Sequence, residues 1–463
     1  MVGSKSQSSI FRFLGAGAAL SLVLLTLLIF GRSSYFGPDG SGSYILKDAV
    51  STTHLHQGAK TETHSKVGGN DTQPSGWEFN VYRDGDNHGL SESQCLSAFP
   101  KLFAEVNRTA EFWAANGGII YEDVDDIARG GGADGNGNGL VRAAIKDGEL
   151  YIIDYGPQPY TFTRGKATLH SLHRALSSYP NKHSLPNIEF ILTTDDFSTP
   201  TSTNPSPVWA YTKRPDDEEI GTWLMPDFGY WSWPEVKTVG EYKDVRRRIS
   251  AVEEGLVFSG KKKQVLWRGS VSANPEIRNG LLDAARGKSW ASMKEISWDN
   301  SHSQPQPHSK SVQADIDILP IEDHCNYAFL AHTEGRSYSG RGKYLLNCNS
   351  VFITHKLTWL EAHHSAFVSS GPDANYVEVE RDWSDLERKV EFLLDNPQTA
   401  ERLAENSVKT FRDRYLTPAA ESCFWRELVK KYGVVSGFAP VLEGSGKGGK
   451  DRGVKFESWV LAG

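Results

Sequence analysis

A polar loop bounded by glycine, residues 335–340 (GRSYSG), is followed directly by Arg341. Strand-like residues 327–330 precede the loop, and the apolar run 344–348 after it predicts a buried helix. Free N–H groups at a helix N-terminus would face the loop, where Arg341 adds positive charge. The segment therefore predicts an anion site, and a diphosphate is the candidate anion. The alternative is a solvated first turn carrying Arg341 and Lys343, because cations there oppose the helix dipole.

A second junction between a strand and a helix carries the same residue types. Residues 265–267 (VLW) predict a short strand that leads into Arg268, Gly269 and Ser270, and Arg278 lies in the helix that follows. Guanidinium groups at such junctions suit phosphate, and each charge-assisted contact is worth about 1.5–3 kcal/mol. Two junctions of this kind in one half of the chain predict a phosphate or nucleotide pocket.

An acidic pair, Asp195 and Asp196, ends the apolar run 188–194 (IEFILTT), which predicts a buried strand. Ligands of open α/β sheets bind beyond the carboxyl ends of the strands, where this pair would lie. Adjacent side chains of an extended segment point to opposite sides, so only one of the two carboxylates can face a cleft. An Asp-rich turn without a chemical role is the alternative.

The composition is that of a globular chain long enough for two domains. It has 463 residues, of which 38% are hydrophobic and 23% are charged. The net charge of -7 and the pI near 6.1 provide no basic surface for a long polyanion. Nucleic acid is therefore excluded as an expected partner, whereas one small anion needs only a local pocket.

The N-terminus predicts a membrane anchor. Residues 13–30 carry no charge, Lys5 and Arg12 precede them, and Arg32 follows. The run is long enough to cross a bilayer core of about 30 Å. Its basic N-terminal flank favours a cytoplasmic N-terminus, which would place the remaining chain in the secretory lumen. A cleaved signal peptide is the alternative, but this run exceeds the usual apolar region of about 7–15 residues.

The chain is expected to divide into six segments. Residues 31–75 are rich in Ser, Gly, Thr and His, which is typical of a flexible stem. Asn70 and Asn107 begin glycosylation sequons, which are usable if the lumenal topology holds. The predicted segments are a cytoplasmic tail (1–12), a transmembrane anchor (13–30), a stem (31–75), a first domain (76–235), a second domain (236–430) and a C-terminal tail (431–463).

The four cysteines, Cys95, Cys325, Cys348 and Cys423, lack the CxxC spacing of a metal site. In an oxidising lumen they can form disulfides. A bridge from Cys325 to Cys348 would tie the strand that enters the anion loop to the helix that leaves it, and would leave Cys95 to pair with Cys423. Four buried thiols are the alternative, because sequence alone does not reveal pairing.

Several separated motifs occur in the order found in one known family, and the chain resembles glycosyltransferase family 90 over about residues 185–430. This family includes the fungal capsule-associated glycosyltransferases, the Rumi-type protein O-glucosyltransferases and lipopolysaccharide-modifying enzymes. The run 226–234 (PDFGYWSWP) looks like the fungal branch. The other matching motifs are 267–270 (WRGS), Arg278, the segment 324–348 with Gly335 and Arg341, and the strand that ends in 195–197 (DDF).

The resemblance implies an α/β chain of the GT-B type, with two Rossmann-like domains that face a cleft and a UDP-sugar held mainly by the second domain. It also implies inverting, metal-independent transfer of a sugar, glucose or xylose, to a hydroxyl group in the secretory pathway. The chain would be a single-pass type II protein of the Golgi or endoplasmic reticulum membrane. No cofactor other than the donor substrate is expected. The acceptor, whether protein, polysaccharide or glycolipid, is left open.

Particular residues take on roles through this resemblance. Asp196 matches the Asp of the family's RDYP motif, which implies that it is the general base, although Asp195 replaces the Arg and Ser198 replaces the Pro. The family's disulfide has the spacing of Cys325 to Cys348, which favours that pair. The implied donor-binding residues are Arg268, Ser270, Arg278, Gly335 and Arg341.

The charges of these residues then predict a mechanism of sugar transfer. Asp196 would accept the proton of the acceptor hydroxyl, and Arg278 and Arg341 would stabilise the negative charge of the departing UDP. A non-catalytic lumenal sugar-binding or chaperone-like protein with the same fold is the alternative from another class. The acid at the base position and the two arginines argue against that alternative.

Overall fold

The computed structural model describes residues 76–133, 139–156, 159–198, 205–215, 219–236, 239–296, 319–443 and 452–462. The predicted anchor, the predicted stem and the sequon at Asn70 lie outside these ranges. Among the residues that the structure describes, no helix is both long and apolar enough to cross a membrane.

Helices and strands alternate along much of the described chain, as expected for an α/β protein. The α-helices are α1 (Val81–Asp84), α2 (Glu92–Ala98), α3 (Ala104–Ala115), α4 (Tyr121–Ala133), α5 (Pro159–Ser177), α6 (Tyr242–Glu253), α7 (Pro275–Ala284), α8 (Gly342–Leu345), α9 (Leu386–Asp395), α10 (Pro397–Ser407), α11 (Pro418–Val435) and α12 (Phe456–Ala462). The strands are β1 (Leu140–Lys146), β2 (Glu149–Tyr155), β3 (Ile188–Thr193), β4 (Trp209–Ala210), β5 (Trp223–Leu224), β6 (Ser232–Trp233), β7 (Gly240–Glu241), β8 (Lys262–Gly269), β9 (Ala291–Glu295), β10 (Tyr327–His332), β11 (Val351–His355), β12 (Val377–Val379) and β13 (Val454–Lys455).

The first sheet has the strand order β13-β2-β1-β3-β4-β5. Strand β1 pairs antiparallel with both β2 and β3, whereas β3, β4 and β5 are parallel to one another. The chain turns between β1 and β2 at Asp147 and Gly148, which both have positive φ, as a type I′ turn requires. A two-residue turn leaves no length for a crossover helix, so these strands pair antiparallel. The sheet is therefore mixed, which differs from the Rossmann-like first domain that the resemblance implied.

The second sheet is parallel throughout and has the order β12-β11-β10-β8-β9. Strands β10 and β11 are buried along their whole length, which explains their nearly continuous apolar sequences. Numbered along the chain within this sheet, the strands follow the doubly wound order 2-1-3-4-5, and the order reverses between β8 and β10. Ligands of such sheets bind at this reversal, beyond the carboxyl ends of the strands.

Helix α11 returns to the first sheet from the second half of the chain. It packs against α3 and α5, and a disulfide joins its Cys423 to Cys95 of α2. The apolar cluster around the first sheet also takes in residues of the second half, such as Tyr344 and Phe411. A separate apolar cluster fills the second sheet and its helices α7, α9 and α10. The division at residues 235 and 236 stays a prediction, and the described chain has contacts that cross it.

The segment 431–463, predicted to be a C-terminal tail, forms regular structure where it is described. Helix α11 extends to Val435, and β13 adds a strand to the edge of β2. Arg452 donates two hydrogen bonds, of 2.6 and 2.8 Å, to the buried carboxylate of Glu189 in β3. The ring of Phe456 is buried against His170 of α5, with a centroid distance of 5.0 Å. The end of the chain therefore completes the first sheet.

We expect Phe456→Ala to lower the free energy of unfolding by about 3 kcal/mol, because it leaves a cavity under α12. Leu461→Ala is the matched control in the same helix, since Leu461 is 87% exposed whereas Phe456 is 1% exposed. The control should change the free energy by no more than about 0.5 kcal/mol. Urea denaturation of the two variants measures both values, and equal effects would show that α12 is not docked.

Candidate functional site

Arg278 links the two strand ends that meet at the reversal point of the second sheet. It lies in the first half of α7, which begins with Pro275 and is capped by the side chain of Asn274. Its Nε donates to the backbone carbonyl of Glu334 at 3.0 Å, and its Nη1 donates to the carbonyl of Ser270 at 2.6 Å. Glu334 follows β10 and Ser270 follows β8. The guanidinium is therefore fixed at the carboxyl ends of both strands.

Arg341 lies at the N-terminal end of α8, near the carboxyl end of β8. Its guanidinium carbon is 6.0 Å from the centroid of the Trp267 ring in β8, and its Nε is buried without a hydrogen-bond partner among the described residues. A buried donor without a partner is costly, so the geometry suits a ligand that accepts hydrogen bonds.

The two guanidinium groups make this region strongly positive. Burial lowers the pKa of Arg278 to about 10. Burial and then repulsion from Arg278 lower the pKa of Arg341 to about 9. The pKa of the buried His324 imidazole falls to about 4, because of burial first and the Arg341 charge second. Both arginines remain protonated at neutral pH. Their lowered pKa values reflect the cost of burying the charged groups and, for Arg341, repulsion from Arg278 as well, which a bound anion would offset.

The helix predicted over 344–348 is shorter than expected. Helix α8 is a single turn, so the dipole argument for the anion site loses most of its force. The side chain of Asn347 accounts for the early end, because it donates to the backbone carbonyl of Lys343 at 2.7 Å and to the Tyr242 hydroxyl at 3.0 Å. The backbone N–H groups of Ser339 and Gly340 donate no hydrogen bond to the described residues. Anion binding at this loop therefore rests on its N–H groups and on the arginines.

The structure places Asp196 against the anion loop. It follows β3 of the first sheet, and its backbone carbonyl accepts a hydrogen bond from the Ser337 hydroxyl of the loop. The Asp196 side chain is 37% exposed, and its Oδ1 is 3.0 Å from Nη1 of Arg164 in α5. A carboxylate that follows the first sheet thus lies next to the loop that leads to Arg341, and the role of Asp196 as a base stays a prediction.

The other three residues predicted to bind the donor substrate differ in what they contact. Arg268 is buried, and its Nη1 donates to the carbonyl of Ser292 in β9 at 2.6 Å. The Ser270 hydroxyl lies 2.8 Å from the hydroxyl of Ser272. A Cβ atom at Gly335 would lie 2.9 Å from the Tyr338 carbonyl and 3.4 Å from Arg278, so the loop requires glycine there. Arg268 therefore faces the neighbouring strand, while Ser270 and Gly335 border Arg278.

A buried ion pair beneath the loop was not predicted. Nζ of Lys343 lies 2.6 Å from Oδ2 of Asp227 and also donates to the Gly340 carbonyl at 2.8 Å. Both side chains are buried, so Lys343 is not the solvated residue of the alternative interpretation. A Cβ atom at Gly229 would lie 2.5 Å from the Lys343 Nζ. The sequence signal was the run 226–234 (PDFGYWSWP), which contains both Asp227 and Gly229.

Glu334 fixes the start of the loop. Its carboxylate accepts hydrogen bonds from the backbone N–H groups of Thr358 and Trp359, at 2.6 and 2.9 Å, and from Arg381 at 2.8 Å. Its side chain is buried. These donors occupy the carboxylate, so Glu334 supports the loop and is not free for chemistry.

The structure joins the cysteines in the predicted pairs. Cys325 bonds to Cys348 across the anion segment, and Cys95 bonds to Cys423. Asn107 lies within α3 and is half-buried, and the hydroxyl of Thr109 in its sequon accepts a hydrogen bond from buried Lys213. Glycosylation at Asn107 stays a prediction.

One group of potential metal ligands occurs among the described residues, formed by Glu361, His363 and His364. Nδ1 of His364 accepts a hydrogen bond from the Glu361 N–H at 3.2 Å, so the neutral ring carries its proton on Nε2, which faces the Glu361 carboxylate at 3.3 Å. A metal at Nε2 would move this proton to Nδ1, against the N–H donor. Glu361 and His364 are therefore better explained as a hydrogen-bonded pair, with His363 as a neighbour, than as ligands of a metal ion.

The described chain is thus an α/β protein with an arginine pair at the reversal point of a parallel sheet and a carboxylate supplied by a second sheet. Its sequence over residues 97–445 matches the model of glycosyl transferase family 90. The chain belongs to this family, as the resemblance predicted.

Curated relatives carry the name O-glucosyltransferase. The "O-glucosyltransferase rumi homolog" of Aedes aegypti is 24% identical over 264 residues, which are 55% of this chain and 63% of the relative. Human "Protein O-glucosyltransferase 1" is 24% identical over 54% of this chain and 62% of its own. This chain therefore spans less than two thirds of the length of these relatives. A crystal structure of HepE from Anabaena with UDP-glucose covers 44% of this chain and 56% of its own, at 10% identity and a TM-score of 0.26, too low to support an argument.

We expect Arg341→Ala to weaken the binding of inorganic pyrophosphate about 10-fold to 100-fold, because one charge-assisted contact contributes about 1.5–3 kcal/mol. Arg336→Ala is the control in the same loop, since Arg336 is exposed. It should change the dissociation constant less than about 3-fold, as a surface charge does. Titration calorimetry of the three proteins measures these constants, and an unchanged constant for Arg341→Ala would remove this residue from the anion site.

Proposed function

We propose that this chain is an inverting, metal-independent glycosyltransferase of the GT-B type, which moves glucose or xylose from a UDP-sugar to a hydroxyl group of an acceptor. The observation that carries the proposal is the contact between Ser337 and Asp196. It brings a carboxylate of the first sheet to the loop that leads to Arg341.

Arg278 and Arg341 are proposed to bind the diphosphate of the donor. In the transition state the bond between the anomeric carbon and the diphosphate lengthens, and negative charge grows on the departing UDP. Two fixed guanidinium groups stabilise this charge more strongly than the charge of the bound donor, which lowers the barrier. Repulsion from Arg278 contributes to the lowered pKa of Arg341, which supports a positive potential at the proposed diphosphate site.

Asp196 is proposed to act as the general base. The acceptor hydroxyl attacks the anomeric carbon on the face opposite the leaving UDP, and its proton passes to the Asp196 carboxylate. A single displacement of this kind inverts the configuration at the anomeric carbon. The partial exposure of Asp196 leaves the carboxylate accessible to an acceptor.

Independence from metal ions is proposed because the arginine pair can supply the positive charge that a divalent cation would bring to the diphosphate. UDP-sugar turnover should then be unchanged by addition of a chelator. A chelator-sensitive rate that Mg²⁺ or Mn²⁺ restores would contradict this part of the proposal.

The names of the relatives favour glucose as the donor sugar and a protein hydroxyl as the acceptor. Xylose stays open, because it differs from glucose by one hydroxymethyl group and only the shape of the pocket discriminates the two. Two disulfides suit an oxidising compartment. They support the proposed location in the lumen of the endoplasmic reticulum or Golgi, behind an anchor at 13–30.

We expect Asp196→Asn to lower the turnover of UDP-glucose or UDP-xylose by about 10²-fold or more, because loss of a general base typically costs 10²–10⁴-fold. The dissociation constant of UDP should stay within about 2-fold of the wild-type value, since Asp196 belongs to the other sheet. Asp195→Asn is the matched control, because its side chain follows the same strand one position earlier.

Release of UDP from each donor by the purified full-length chain, together with calorimetry of UDP binding, measures both effects. Normal turnover of Asp196→Asn would refute the base assignment. Binding of UDP by the wild-type chain without turnover of any donor in a panel of UDP-sugars would favour the non-catalytic sugar-binding protein.

A further inference from the structure

Helix α5 brings a guanidinium group to the proposed base. Nη1 of Arg164 lies 3.0 Å from Oδ1 of Asp196, and the Arg164 side chain is 21% exposed. The described residues provide no hydrogen-bond partner for Oδ2 of Asp196. One oxygen of the carboxylate is thus held, and the other is open to an incoming hydroxyl group.

Arg164 is itself held by surrounding groups. Its Nε lies 3.6 Å from Oε1 of Glu235, and its guanidinium carbon lies 4.9 Å from the centroid of the Phe228 ring. Burial acts to lower the pKa of Arg164, but the Tyr338 hydroxyl, Asp196 and Glu235 outweigh it, so the pKa rises above its ordinary value. The guanidinium therefore stays charged and has one well-defined position.

The base is fixed from two directions. The Ser337 hydroxyl binds the backbone carbonyl of Asp196 from the anion loop, and Arg164 binds the side chain from α5. The residue that precedes the base in the chain, Asp195, is a second acid and supplies no positive charge. The countercharge on the carboxylate comes instead from a residue 32 positions away.

We propose that Arg164 is a positioning residue for the base: it binds Oδ1 of Asp196 so that Oδ2 faces the acceptor hydroxyl and receives its proton. This inference rests on the proposed function. Arg164 does not touch the donor in this assignment, so its loss should lower kcat and leave donor binding intact. A misplacement of about 1 Å at a reacting group can cost about 10²-fold in rate.

The test compares Arg164→Met, which removes the charge at similar volume, with Arg164→Lys, which keeps the charge without the planar fork. With UDP-glucose as the probe, we expect kcat of Arg164→Met to fall about 10²-fold. Arg164→Lys should recover about 10-fold of that loss. The KM for UDP-glucose and the dissociation constant of UDP should stay within about 2-fold for both variants.

Arg174→Met is the matched control, since Arg174 lies in the same helix and pairs with buried Glu421 at 2.8 Å. It removes a partly buried arginine from α5 without touching Asp196. We expect it to lower the midpoint of thermal unfolding and to leave kcat per folded molecule unchanged. Equal kcat losses in Arg164→Met and Arg174→Met would show that α5 matters only for stability, which would overturn the assignment.

A double variant separates positioning from other roles. If Arg164 acts through Asp196, adding Arg164→Met to Asp196→Asn should lower kcat by less than about 2-fold further, because the group to be positioned is already lost. If the kcat losses of the two single variants multiply in the double variant, the result would contradict the proposal. Should Arg164→Met fail to fold, Arg164→Lys decides the question, and an unchanged kcat in that variant would reject it.

The wild-type protein distinguishes this inference from the proposed function. A wild-type chain that binds UDP but turns over no UDP-sugar refutes the function itself, and the role of Arg164 falls with it. An active wild-type chain whose Arg164→Met variant keeps its kcat refutes only the inference.

Discussion

The site depends on two buried guanidinium groups, those of Arg278 and Arg341, at the end of the second sheet where the strand order reverses. Loss of solvent lowers the pKa of both arginines, and repulsion from Arg278 lowers the pKa of Arg341 further. The backbone carbonyls of Ser270 and Glu334 hold Arg278 in place, and Glu334 is anchored in turn by its carboxylate. The surrounding structure therefore holds both charges in place, and a bound diphosphate would offset the cost of burying them.

The anion loop, residues 335–340, also connects the two sheets. On one side of the loop, Ser337 donates a hydrogen bond to the carbonyl of Asp196 after β3. On the other side, the Lys343–Asp227 ion pair anchors α8 to the run 226–234. Helix α5 contributes Arg164 to the carboxylate from a third direction. The proposed donor-binding groups and the proposed base are therefore joined through one loop, which suits a reaction that needs both partners at a fixed distance.

Local patterns predicted much of this arrangement. The buried strand before Asp195 and Asp196 and the strand-to-helix junctions at Ser270 and Gly335 follow from short-range hydrophobic periodicity and from turn residues. The partner of Lys343 is 116 positions away, and the partner of Asp196 lies in a separate helix, so no local pattern reveals either contact. The short length of α8 was also not predicted. Asn347 ends the helix through hydrogen bonds from its side chain to the Lys343 carbonyl and to the hydroxyl of the distant Tyr242. Contacts that depend on tertiary packing are thus the part that sequence periodicity does not encode.

The bond between Cys95 and Cys423 has a consequence for biogenesis. Its cysteines are 328 positions apart, whereas Cys325 and Cys348 are 23 apart. During synthesis from the N-terminus, Cys95 emerges long before its mate, with Cys325 and Cys348 as competing thiols in between. The short loop can close as soon as both of its thiols are exposed, which removes those competitors. The long-range bond then requires a chain that has been synthesised past Cys423, and a chain terminated before that residue would leave the thiol of Cys95 unpaired.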